Sequence, residues 1–130
     1  GMGILQFHLQ HRAEGVTDFA TEPNCVAYTG THDNNTLQGW LEEEVSPELR
    51  DRLRSLAGRE PGAWSLIEYL YSRRARTVIT PLQDVLGLPA TCRMNTPGTP
   101  SGNWAWQMET GCPDRELAQK LKQLVDKYKR

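Results

Sequence analysis

In the stretch GTHDNNTLQGW, residues 30–40, His32 and Asp33 stand side by side after a β-prone run and before a helix-prone one. An imidazole and a carboxylate at the end of a strand can both hydrogen-bond a polyhydroxylated ligand, and a carboxylate there can stabilise charge. The same residues have a structural use, because Asp33 or Asn34 can cap the following helix through a side-chain oxygen. The two uses are compatible when Asn34 or Asn35 caps and Asp33 faces a cleft.

A second stretch, RMNTPGTPSGNWAW, residues 93–106, puts Arg93, Asn95, Trp104 and Trp106 on a backbone wound by prolines and glycines. Either it is a surface loop pinned by buried tryptophans, or it binds a ligand, with indole faces against sugar rings and amides on their hydroxyls. Other candidates are weaker. His8, His11 and His32 lack tight metal-ligand spacing, so no metal is expected. Glu42–Glu44 reads as a solvated helix face, and no glycine-rich phosphate loop follows a strand, so no nucleotide or other cofactor is expected.

The elements that must position these residues can be read from periodicity. Leu5, Phe7 and Leu9 alternate with Gln6 and His8, which predicts a strand over Ile4–Leu9. Residues 10–24 then form a long loop, and Cys25–Thr31 a second strand. A helix is expected over residues 36–45, although Gly39 weakens it by about 1 kcal/mol relative to alanine. Ser46-Pro47 is an N-cap with proline at the first helical position, opening a helix along Leu49, Leu53 and Leu56 that ends at Gly58. Trp64, Ile67, Leu70 and Tyr71 mark the next helix, with Arg73, Arg74 and Arg76 crowding its end. Thr77–Thr80 is a short strand halted by Pro81, and Gln83–Leu88 one helical turn. The loop 89–107 follows, and Pro113 opens a last helix along Leu117, Leu121, Leu124 and Tyr128. The alternation predicts an α/β fold with parallel strands, helix-rich and with about three strands, in which both long loops lie where sites are built.

Composition narrows the partners. Net charge is −1, with 38% apolar and 24% charged residues, which describes an ordinary globular chain and gives no electrostatic case for nucleic acid or a membrane surface. The three cysteines are far apart in sequence with no C-x-x-C pair, which favours a reducing cytoplasm over a disulfide framework. No apolar run approaches the roughly 18 residues of a transmembrane helix.

Taken in order, GILQF, YTGTHDNNTLQGW, PLQDVLGL and RMNTPGTPSGNWAW resemble the C-terminal part of the 4-α-glucanotransferases, or amylomaltases, from residue 1 to about 107. Gly1-Met2 also looks like that family's own sequence ahead of a barrel strand. The resemblance implies retaining α-1,4-glucan transfer: one carboxylate forms a glycosyl-enzyme, a second carboxyl group is acid and base, and a third carboxylate holds the distorted sugar. Asp33 matches the third carboxylate, His32 the imidazole beside it, and Asn95 a substrate-contacting asparagine. Pro97 and Trp104 fall in the same substrate-binding stretch. Asn35 and Gln107 depart from the family's usual Asp and Arg.

The resemblance also implies an absence. In retaining chemistry the two bond-breaking carboxyl groups sit about 5–5.5 Å apart. The family motifs bearing them lie upstream of this chain's first residue, and Asp18, Glu22 and Asp84 are not in those motifs. A complete (β/α)8 barrel needs roughly 250 residues. The expectation is therefore a single unit, residues 1–130, forming a C-terminal fragment of a TIM-type barrel. It would engage a maltooligosaccharide or α-1,4-glucan but be inactive alone, and its unpaired strand edges could pair with another copy. The alternatives are a non-catalytic glucan-binding module and a self-associating structural protein.

Overall fold

A computed structural model describes residues 1–11 and 19–130. Asp18 and the rest of 12–18, within the loop predicted over 10–24, lie outside the described residues. The elements run β1 (Met2–Ile4), α1 (Leu5–His11), β2 (Val26–Tyr28), α2 (Leu37–Glu43), α3 (Pro47–Ala57), α4 (Ala63–Tyr71), β3 (Thr77–Ile79), α5 (Leu82–Val85), a 3-10 turn at Ala90–Cys92, and α6 (Arg115–Tyr128).

The three strands form one parallel sheet in the order β1-β2-β3, with Gly3 opposite Ala27 and Ala27 opposite Val78. β2 is central and its Ala27 is buried, whereas Met2 on β1 and Ile79 on β3 are exposed. Helices make the rest of the core: Leu5 and Leu9 of α1, Leu37, Trp40 and Leu41 of α2, Leu53 of α3, and Leu66, Ile67 and Leu70 of α4 pack together. This is the helix-rich α/β chain with a small parallel sheet that the sequence predicts.

The first strand is a correction. Ile4 closes β1, and the residues expected to extend it, Leu5 to Leu9, are α1. Positions 5 and 9 fit both readings, since four residues are two strand repeats or about one helical turn. Phe7 decides between them. In a strand it would share the buried face with Leu5 and Leu9, yet it is 61% exposed and stacks on His11. Gln6, expected to face solvent, is buried and donates its amide to Asn35 O at 2.9 Å.

Local signals behave as expected in α3: Ser46 Oγ accepts from Leu49 N at 3.2 Å, Pro47 begins the helix, and Gly58 ends it with φ +66°. At α6 the boundary shifts: Pro113 stays outside, and Asp114 caps by accepting from Leu117 N at 2.8 Å. The far end of α6 is tied to α4. Lys127 Nζ meets Glu68 Oε1 at 2.5 Å, and the Arg130 guanidinium donates to the carbonyls of Tyr71, the last residue of α4, and of Arg73 and Ala75 beyond it.

Candidate functional site

The loop carrying His32 and Asp33 leaves the C-terminal end of β2 and enters α2 at Thr36. Thr36 is the N-cap: its hydroxyl accepts from Gly39 N at 3.1 Å. That corrects the expectation that Asp33, Asn34 or Asn35 caps. Asn34 folds the loop back on itself instead, its Oδ1 accepting from Thr31 N at 2.8 Å and from the Thr31 hydroxyl at 2.9 Å. Asn35 is buried and donates to Glu44 Oε1 at 2.8 Å. Asp33, released from capping, points outward with its side chain 51% exposed.

Gly39 has a reason that propensity does not show. A Cβ there would lie 2.7 Å from Ala90 Cβ, 2.8 Å from Ala90 Cα and 2.5 Å from Asn35 Oδ1. α2 can approach the 3-10 turn only because this position has no side chain. That approach brings the second motif onto the first.

The two motifs meet through named bonds. Asn95 Nδ2 donates to Asp33 Oδ1 at 2.6 Å, and Asn95 N donates to His32 O at 3.1 Å. Arg93 spans both segments, its Nη2 donating to Asp33 O at 3.0 Å and its Nε to Asn95 O at 3.1 Å. His32 Nε2 lies 3.4 Å from Asp33 Oδ2, and its ring sits 5.1 Å from the Trp104 ring, tilted by 40°. Trp104 is 62% exposed and holds φ at +60°, a left-handed conformation that costs energy for a bulky residue, while its N–H donates to Met94 O at 2.7 Å. Asn103 braces the loop between them, accepting from Thr96 N at 2.8 Å and donating to Thr99 O at 3.1 Å.

Four of the five expected site residues thus converge: Asp33, His32, Asn95 and Trp104. Pro97 does not join them. It is exposed at the corner of a turn with Gly98, which Thr99 N closes onto Thr96 O at 3.3 Å. Trp106 is half-buried, whereas Trp104 is exposed.

Below the cluster is a cleft of about 190 Å³ lined by His32, Asn35, Asp84, Arg93, Met94 and Trp104 among others. Its floor holds Asp84, 1% exposed on α5. Burial pushes the Asp84 carboxyl above the usual carboxylate range, against the opposing effect of the Thr29 hydroxyl and the Leu37 amide that donate to it. Asp84 and Arg93 carry more of the site's architecture than the motifs alone suggest. The available signal for Asp84 was an acid set among Leu82, Val85 and Leu86 just after a helix-opening proline.

Chemically, Asp33 is an acceptor held on one oxygen by an amide and open to solvent on its other side, beside an imidazole and an exposed indole. Such a set can take the hydroxyls of a sugar and present an aromatic face to its ring. Among the described residues, no group of three or more His, Cys, Asp or Glu side chains could hold a metal ion.

Comparison with known proteins identifies the family to which the chain is similar. The family model for 4-alpha-glucanotransferase matches residues 1–113. The chain is 37% identical over its whole length to the chloroplastic/amyloplastic 4-alpha-glucanotransferase of Arabidopsis thaliana, covering 24% of that protein. It is 39% identical to the Clostridium butyricum 4-alpha-glucanotransferase, again over all of this chain and 28% of the relative. In structure, all of it superposes on 27% of the amylomaltase from Streptococcus agalactiae in complex with acarbose, at a TM-score of 0.91 and 32% identity. The chain therefore spans about a quarter of the length of these relatives, and it belongs to the 4-alpha-glucanotransferase family.

Proposed function

We propose that this chain supplies the sugar-holding side of a retaining α-1,4-glucan transfer site, with Asp33 as the carboxylate that grips the distorted sugar. The observation that carries the reading is the pairing of Asn95 Nδ2 with Asp33 Oδ1 at 2.6 Å, beside His32 and the exposed Trp104. It fixes the carboxylate while leaving acceptor capacity for substrate hydroxyls. Asn95 and His32 add donors, and Trp104 an apolar platform. Pro97 belongs to this set only as the corner of the loop that carries Asn95. The substrate is a maltooligosaccharide or α-1,4-glucan, a reading supported by the acarbose in the Streptococcus agalactiae amylomaltase.

The bond-breaking carboxyl groups belong to the upstream part of the family's catalytic unit. Neither Asp84 nor Glu22 takes their place: Asp84 is buried and engaged with Thr29 and Leu37, and the exposed Glu22 lies before β2. Residues 1–130 form one unit, the C-terminal segment of a (β/α)8 barrel, whose edges β1 and β3 await neighbouring strands. The chain alone is inactive in transfer. Free thiols at Cys25, Cys92 and Cys112 support a cytoplasmic location.

Titration of the chain with maltotriose tests the site. Binding that is lost in Asp33→Ala is the expected result, and binding that survives this substitution contradicts it. The exposed sheet edges favour one further reading, pairing with a second copy, and size-exclusion chromatography showing only a monomer at high concentration would remove it.

A further inference from the structure

Thr29 directly follows β2 and Leu37 is the first residue of α2, so together they bracket the loop that presents His32 and Asp33. One carboxylate holds both ends. Asp84 Oδ2 accepts the Thr29 hydroxyl at 2.5 Å, and Asp84 Oδ1 accepts the Leu37 backbone N–H at 2.7 Å. All three residues are at most 1% exposed, so water cannot replace either donor's partner. From this geometry we propose that Asp84 is the positioning residue of the site, setting the span of the 29–37 loop and hence where Asp33 and His32 stand.

The chemistry of the side chain explains why an acid is placed there. Two donors arrive from different elements, and a carboxylate offers an acceptor oxygen to each. An amide offers one acceptor, so its NH2 would face a donor; a hydroxyl cannot span both. Ionised acceptors also make the stronger hydrogen bonds, which offsets the cost of burying the acid. Asp84 has no need to touch a sugar. It acts through a short chain of bonds: Asp84 to both ends of the loop, and the loop's Asp33 to Asn95. Its neighbour Gln83 donates to Cys92 O at 3.4 Å, so α5 also reaches the segment that delivers Arg93 and Asn95.

This inference deepens the sugar-site reading and rests on it for its functional meaning, but its test has an arm independent of sugar. The 130-residue chain, isotopically labelled, is examined as wild type, Asp84→Asn, Thr29→Val and Thr29→Ser. The readouts are the Asn95 side-chain amide resonances, the His32 imidazole ring resonances, and maltotriose affinity. In Thr29→Val, the Asn95 amide resonances should leave their hydrogen-bonded position, the His32 ring resonances should move, and affinity should fall about tenfold, the loss expected from one buried bond. Thr29→Ser, which keeps the hydroxyl, should restore all three, which a general loss of stability would not explain. Asp84→Asn should act at least as strongly, and if it fails to fold the Thr29 pair decides alone. Unchanged Asn95 and His32 signals in Thr29→Val would overturn the proposal. Absence of maltotriose binding by wild type, with those signals still moving in Thr29→Val, would uphold the positioning role and overturn only the sugar reading.

Discussion

Asn95 donates its side-chain amide to Asp33 across 62 positions of sequence, at 2.6 Å. This bond joins the two loops, together with the Asn95 N–H on the His32 carbonyl, and Arg93 reinforces it through the carbonyls of Asp33 and Asn95. Asn95→Ala should lower maltotriose affinity about tenfold while costing under ~1 kcal/mol of stability, because the pair is half-exposed and water can replace the lost donor. Isothermal titration and urea unfolding on the same preparation separate the two effects.

Gly39→Ala should destabilise the chain by about 1–3 kcal/mol, although alanine is the better helix former by about 1 kcal/mol. The new methyl would meet Ala90 Cβ at 2.7 Å and Ala90 Cα at 2.8 Å, where backbone must move. Urea denaturation measures this directly. Since α2 and the Ala90–Cys92 turn would separate, weaker maltotriose binding should accompany the loss.

Asn35→Asp, which installs the residue type usual in the family, should destabilise this chain at neutral pH by about 1–3 kcal/mol. Asn35 Nδ2 donates to Glu44 Oε1 at 2.8 Å and Glu43 Oε2 at 3.4 Å, and an aspartate would set a buried negative charge against them. The defect should shrink as pH falls toward the carboxylate range and these groups take up protons. Thermal unfolding of both proteins across pH 4–8 checks the slope.

Docking of α6 should weaken in acid. Glu68 is held below its ordinary pKa of 4.5, first by its hydrogen bond from Lys127 and then by one from Tyr128. A carboxylate with a lowered folded-state pKa contributes stability that is full above its unfolded value and is lost as pH falls through the folded one. Wild type should therefore exceed Glu68→Gln by a few tenths of a kcal/mol at pH 7, the range of partly exposed pairs, and the difference should vanish well below pH 4.5. Helix-resolved hydrogen exchange in α6 reports it.

How far the sequence carried depended on whether a signal was local. Ser46, Pro47 and Gly58 bound α3 because cap and stop chemistry acts within a few residues. The parallel sheet and the family were legible from alternating elements and two long motifs. The start of α1 was not, because Leu5 and Leu9 suit either period and only the burial of their neighbours, exposed Phe7 and buried Gln6, separates the two. Nor was the cap: Asp33, Asn34, Asn35 and Thr36 are all cap-capable in a row, and tertiary contacts select Thr36. Residue types marked Asp33, His32, Asn95 and Trp104, but their joining depends on Gly39 admitting Ala90 and on Asp84 reaching Thr29 and Leu37. Those are contacts between distant positions, which no local pattern records.

The most direct measurement combines this chain with a separately produced Clostridium butyricum 4-alpha-glucanotransferase lacking the 28% of its length that this chain matches, and follows glucose released from maltotriose. The account predicts no glucose from either piece alone, release from the mixture, and none when the chain carries Asp33→Ala. Glucose released by this chain alone, or a mixture indifferent to Asp33→Ala, would contradict it.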